Sequence, residues 1–168
     1  MELIFPTIEH KQAALDYRQE YIDCGEAHIH GCSGFMEADD YESWIKRITW
    51  NKTEAGPNWV TGSVYFAIEN DKILGTIAVR DYLNEYLLNI GGHIGYGIRP
   101  LERRKGYGAK MLALALEKCR KLDIARVLVT CDKVNPASAK TAIKNGGVLE
   151  NEFVEDDGNI IQRYWITL

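Results

Sequence analysis

The stretch Ile98-Arg99-Pro100-Leu101-Glu102-Arg103-Arg104-Lys105-Gly106-Tyr107-Gly108-Ala109 joins the end of an apolar, strand-like run to a sequence of strong helix formers, Lys110 to Lys118. A helix that starts there presents unpaired backbone N–H groups and the positive end of its dipole, so an anion seated at that end satisfies both. Gly106 and Gly108 lack a Cβ, which lets a ligand approach the backbone and lets the turn reach positive φ. Arg103, Arg104 and Lys105 add charge, and arginine grips phosphate oxygens in pairs. Strand, basic glycine loop and helix in that order describe a seat for phosphate, or more plainly a basic turn that caps a helix.

Two common phosphate loops fail on these residues. There is no Gly-Lys-Ser/Thr for a P-loop, and the third glycine of a dinucleotide fingerprint would fall on Met111. The stretch resembles instead the acyl-CoA signature of the GNAT acyltransferase superfamily, Arg/Gln-x-x-Gly-x-Gly/Ala, here Arg103 to Gly108, and Ile98-Arg99-Pro100 is similar to that family's strand end. The resemblance implies that acetyl-CoA, as acyl donor, is held by Ile98, Arg99, Arg103, Arg104, Lys105, Gly106, Tyr107, Gly108 and Ala109.

A chain of 168 residues fits a single domain, 1–168, with a substantial core, and 46% hydrophobic with 26% charged residues is a globular composition. A net charge of −4 argues against nucleic acid as the main partner, which leaves the cations near Arg103 as a local site. No apolar run approaches the roughly 20 residues that span a bilayer, so no membrane partner is expected. The start, Met1 to Pro6, lacks the charged and apolar regions of a signal peptide, and the expected address is cytoplasmic. Four cysteines without Cys-x-x-Cys fit reduced thiols. Cys24, His28, His30 and Cys32 are zinc-type ligands, but their spacing departs from zinc patterns and no metal is expected.

Periodicity gives the elements. Leu3-Ile4-Phe5 is a short strand, Ile8 to Ile22 a helix, the glycines 25, 31 and 34 mark a loop, and Asp39-Asp40 caps a helix through Ile48. Asn51 to Gly62 is a connection, and the β-rich runs 64–68 and 73–80 flank a hairpin turn at Glu69 to Lys72. The segment from Asp81 to Gly92 receives no firm assignment, although its apolar residues predict packing. His93 to Ile98 is a strand whose Gly95 and Gly97 mark either a weak edge or close approach of a ligand. Tyr107 to Lys121 is the clearest helix, Val127 to Cys131 a buried strand, and Asn135-Pro136 starts a helix that ends at Asn145-Gly146-Gly147. Val148 to Val154 and Ile160 to Ile166 close the chain as a hairpin, and these exposed final strands are able to pair between two copies as a homodimer. This order matches the arrangement of the resembled family: an α/β domain with a mixed, mostly antiparallel sheet flanked by helices, whose splayed strands form the acyl-CoA cleft.

A second resemblance concerns the last helix, where the family often carries Asn-x-x-Ala/Ser-x-x-Leu-Tyr-x-x-x-Gly-Phe. Asn135, Ser138 and Gly146 match, which implies that Asn135 and Ser138 also bind the cofactor, Asn135 being equally suited to a helix cap. The Tyr that protonates the leaving thiolate is replaced by Ala142, and the Phe by Gly147. The expected activity is therefore acetyl transfer from acetyl-CoA to a primary amine of a small molecule or protein terminus by direct attack on the thioester, the alternative being an acyl-CoA-binding sensor with slow or no turnover. A neutral amine needs a base, and His93 is the candidate, five residues before Ile98, where family strands often hold a Glu; the competing role for it is structural. Tyr96 and Asp132 are rival groups, Tyr96 lying on the opposite strand face from His93 by alternation.

Overall fold

The computed structural model describes all residues, 1–168. Chain order is β1 (Glu2–Ile4), α1 (Lys11–Asp23), α2 (Tyr41–Trp50), β2 (Gly62–Glu69), β3 (Lys72–Arg80), β4 (Ile94–Ile98), α3 (Tyr107–Arg120), β5 (Arg126–Asp132), α4 (Pro136–Lys144), β6 (Val148–Val154) and β7 (Ile160–Thr167). The strands form one seven-stranded sheet in the order β1-β2-β3-β4-β5-β7-β6. Every neighbour pair is antiparallel except β4 and β5. No helix is long and apolar enough to cross a membrane.

Side-chain alternation along the strands builds two cores, one on each face. Ile77, Val79, Ile94, Val127 and Val129 meet Met111, Leu112, Ala115, Leu116 and Cys119, the apolar stripe of α3. Val64, Phe66 and Ala78 meet Tyr17 and Tyr21 of α1, Trp44 and Ile48 of α2, and Phe35 of the intervening loop. Trp44 is fully buried, stacks on Phe66 at 5.7 Å and donates its indole N–H to Cys32 O at 2.8 Å, so the loop between α1 and α2 is clamped to the sheet.

Local chemistry fixes the boundaries. Asn70 and Asp71 both take positive φ (52° and 59°), the primed turn that matches strand twist and that these two residues tolerate. Asp40 and Asn135 cap α2 and α4 by accepting the N–H of Ser43 and Ser138. The helix expected from Ile8 starts as α-helix only at Lys11, because Thr7 and His10 cap each other: His10 Nδ1 takes the Thr7 N–H at 3.0 Å and lies 2.9 Å from its hydroxyl, holding Ile8–His10 as a 3₁₀ turn. The unassigned segment folds into a π-turn at Leu87–Gly91. Asn84 Oδ1 accepts the Leu87 N–H, Arg163 Nε donates to Leu88 O at 3.0 Å, and Leu87 is fully buried. His93 stands just before β4, since its N–H turns away to Leu128 O at 2.8 Å.

Candidate active site

β4 and β5 touch at one pair, Ile94 with Val129, and then part. Arg80 N donates to His93 O and Arg99 N donates to Leu74 O, which, with the β3–β4 register, aims the His93 carbonyl, the peptide groups of Gly95 and Gly97 and the Arg99 N–H at β3. The N–H groups of Tyr96 and Ile98 therefore point into the gap on the β5 side, where no strand accepts them. Glycine at 95 and 97 serves the opposite face. The chain at His30 and Gly31 lies directly on β4 there: a Cβ on Gly97 would meet His30 O at 3.0 Å, and one on Gly31 would collide with Gly95 O. Close approach is thus real at these glycines, with the chain itself on one face.

Beyond Ile98 the backbone turns into α3. Gly106 is the residue before the helix, with φ +82° and no side-chain cap, and Lys110 N–H is the first to reach back, to Gly106 O at 3.4 Å. The N–H groups of Tyr107, Gly108 and Ala109 have no partner within the helix. The need for positive φ falls on Gly106 and not on Gly108, which has an ordinary helical position where a Cβ would make normal contact with Thr141 Oγ1 at 3.4 Å. Arg104 also takes the left-handed conformation, φ 64°.

The cations of the loop divide. Arg99 is tied down: its Nε donates to Glu20 at 2.7 Å, both side chains are largely buried, and its Nη1 donates to Ile73 O at 3.3 Å. Arg103 makes a two-pronged contact with Glu26 at 2.7 Å on each oxygen and donates its Nε to Ile98 O at 3.0 Å. These two arginines fasten the end of β4 to the C-terminal part of α1 and its exit. Lys105 pairs with Glu102 at 2.8 Å, a carboxylate held down to about 2 by Lys105 and then Lys72. Arg104 has no carboxylate within ion-pair reach. The start of α3 thus presents uncapped backbone N–H groups, with Arg104 and Lys105 just before it in the chain.

On the α4 side, Asn135 Oδ1 is spent on its own helix, accepting Ser138 N–H at 3.1 Å. Ser138 Oγ lies 2.9 Å from Tyr96 Oη, so the phenol reaches across from β4 to the first turn of α4. Burial raises the Tyr96 pKa, which keeps the phenol protonated. Ala142 is fully buried in the core under α3. Sequence reasoning put Tyr96 on the correct face but missed its hydroxyl contact with Ser138, which connects residues 42 apart.

His93 is not placed to act as a base. It is 7% exposed, and its Nδ1 accepts the Leu128 N–H at 3.0 Å, so in the neutral ring the proton sits on Nε2 and no lone pair remains for an acceptor amine. Burial, and then the nearby Arg80 charge, lower its pKa from 6.5 to about 4. The ring ties β4 to β5 through Leu128, a structural task with a consequence for stability. Unfolded chain takes a proton near pH 6.5 and native chain near 4, so this contribution is whole above 6.5, declines as pH falls and is gone below about 4. By pH 5 the loss is about 2 kcal/mol, at ~1.4 kcal/mol per unit. His93→Gln, whose amide oxygen can still accept from Leu128, should flatten that decline in urea melts between pH 7 and 5; an unaltered slope would rule His93 out as its source.

The metal-type residues do not converge. Cys32 Sγ is buried and donates to Ile29 O at 2.9 Å, Cys24 is exposed, and His28 faces Glu37 at 3.6 Å.

On the α1–α2 face a cleft of about 440 Å³ is lined by Gly31, Ser33, Gly34, Arg47, Asn51, Trp59, Ala78 and Arg80. In the sequence Gly31 and Gly34 mark only a loop and Asn51 only the start of a connection, and the one signal of a site is Arg80, a cation closing a mostly apolar strand.

Comparison with known proteins agrees with this geometry. The family model described as an acetyltransferase (GNAT) domain matches residues 11–148. No curated protein matches the chain closely in sequence. Among solved structures, the microcin self-immunity acetyltransferase MccE in complex with acetyl-CoA and AMP shares 16% identity at TM-score 0.71, covering 99% of this chain and 91% of that one. RimL, a ribosomal alpha-N-protein acetyltransferase in complex with coenzyme A, shares 16% at TM-score 0.70, covering 99% and 93%. An N-acetyltransferase from Staphylococcus aureus shares 15% at TM-score 0.66, covering 98% and 96%. With strands that part after Ile94, an uncapped helix start behind a left-handed glycine, and a family match over most of its length, the chain belongs to the acetyltransferase (GNAT) domain family.

Proposed function

We propose that this protein transfers the acetyl group of acetyl-CoA to a primary amine, of a small molecule or a protein terminus, by direct attack on the thioester. The observation that carries the reading is the gap between β4 and β5, which leaves two backbone donors, Tyr96 N–H and Ile98 N–H, free beside the helix start at Gly106. When bound, acetyl-CoA supplies an activated acyl group. The chain's part is to bind and polarise. N–H groups of Tyr107, Gly108 and Ala109, with Arg104 and Lys105 at the rim, suit the pyrophosphate. Tyr96 N–H and Ile98 N–H suit an extended amide arm and the negative charge that develops on the acyl oxygen.

The acid that protonates the leaving thiolate is Tyr96. Its hydroxyl stands against the first turn of α4, the helix on which family members carry their tyrosine, and its raised pKa makes it a proton donor and not a base. A second reading, an acyl-CoA sensor with slow or no turnover, is favoured by the burial of Ala142 where that tyrosine would stand. Calorimetry with acetyl-CoA, followed by thiol release across a panel of amines, separates the two. Binding with amine-dependent release is the expected outcome, and binding without release for any amine would favour the sensor.

A further inference from the structure

Arg80 ends β3 with its guanidinium half-buried beside Gly95, where Nη2 stands 3.5 Å from the position of a Cβ. Nη1 donates to the carbonyls of Gly91 at 2.6 Å and Gly92 at 2.9 Å, and the group lies over the Trp59 ring at 5.6 Å. No carboxylate pairs with it, although buried cations are ordinarily paired because desolvation of an isolated charge is costly. That burial lowers its pKa without removing its charge, since a guanidinium stays protonated in proteins. Across the same cleft, Arg47 Nη2 donates to Ser33 O and Gly34 O at 2.8 Å each and is likewise free of carboxylate. The cleft walls add the Ser33 hydroxyl, the Asn51 amide and the Trp59 indole, and no acidic residue lines it. In a chain of net charge −4, a cleft with two unneutralised guanidiniums and no acid is a local inversion of sign.

We propose that this cleft is the acceptor site and that Arg80 and Arg47 bind an anionic group, carboxylate or phosphate, on the amine substrate. The inference rests on the acetyl-transfer reading and narrows its substrate class. The position is apt: Arg80 lies against Gly95, one residue before Tyr96, so an anion gripped there sets the amine of the same molecule near the gap into which Tyr96 N–H points. Paired N–H donors in a fixed fork suit either anion, while a polyamine or a basic peptide terminus would face like charge.

Two measurements test it. With the coenzyme site filled by CoA, so that the helix start at Gly106 is occupied, inorganic phosphate is titrated into wild type, Arg47→Gln and Arg80→Gln. Each variant should bind phosphate about tenfold more weakly, the loss expected for one charge-assisted contact. Arg47 is exposed and makes no bond to the Gly91 and Gly92 carbonyls, so its variant serves if loss of those contacts unfolds Arg80→Gln. Thiol release is then compared for α-amino acids, their amides, and phosphorylated amino alcohols. Acids should exceed amides in kcat/KM by at least tenfold, whichever of carboxylate and phosphate is preferred naming the anion, and Arg47→Gln should erase the difference through KM. Equal or faster reaction of amides or polyamines, or phosphate affinity unchanged in both variants, would overturn the inference while leaving acetyl transfer standing. No release with any amine would instead count against the acetyl-transfer reading, and the phosphate titration would still decide the anion site.

Discussion

Gly106→Val is expected to weaken acetyl-CoA binding by about 100-fold, while the protein stays folded. Residue 106 takes φ +82° immediately before α3. A β-branched residue held there carries roughly 1–3 kcal/mol of strain, and ~2.7 kcal/mol corresponds to that factor in affinity. The added side chain itself meets nothing within 4 Å, so the penalty arises from backbone conformation and not from a clash with the core. The turn relaxes toward negative φ, and the N–H groups of Tyr107 to Ala109 lose their common aim. Gly106→Asn should bind within about tenfold of wild type, because asparagine tolerates the left-handed region. At Gly108 the effect has another origin: a valine there presses its methyls on Thr141 and Ile98, where a Cβ alone already stands at 3.4 and 3.8 Å, and a smaller loss is expected. Calorimetry on the three variants checks the order, and wild-type affinity in Gly106→Val would remove the backbone seat from the account.

The second large effect belongs to Tyr96. Tyr96→Phe keeps the ring that packs against the α3 core and removes only the hydroxyl that lies 2.9 Å from Ser138 Oγ. If the phenol donates the proton to the departing thiolate, kcat should fall about 100-fold, within the range general acids contribute, with acetyl-CoA affinity little changed. Ser138→Ala leaves the phenol in place without its partner, and an intermediate loss of about tenfold is expected. A Tyr96→Phe enzyme with unchanged kcat, or one that loses affinity and kcat together, would show the hydroxyl to be a packing element.

Much of this was legible in the sequence because it is encoded locally. The two hairpins, the α3 stripe and the caps at Asp40 and Asn135 depend on residues within a few positions of one another, and the structure places them at the expected points. The glycine loop was legible for the same reason. What could not be read was the allegiance of the cations. Arg99 and Arg103 stand in a phosphate-loop sequence, yet each is claimed by a glutamate from α1 or its exit, 79 and 77 residues away. Charge count along the loop therefore overstates what is free for a ligand, and only Arg104 escapes pairing. His93 illustrates the same limit in a different form: its lone pair is committed to Leu128 N–H across the one parallel strand pair, a partner 35 residues distant. The acceptor cleft was the least legible part, because Arg47, Trp59 and Arg80 come from a helix, a loop and a strand end and share no motif.

Thiol release from acetyl-CoA, followed together with the mass of the acceptor over a panel of amines, tests the central claim most directly. The account predicts one thiol released for each acetyl group gained by an acceptor nitrogen, with a rate that saturates in the amine and falls to background without it. Tight acetyl-CoA binding with release that is equally slow in the presence and absence of every amine would contradict it.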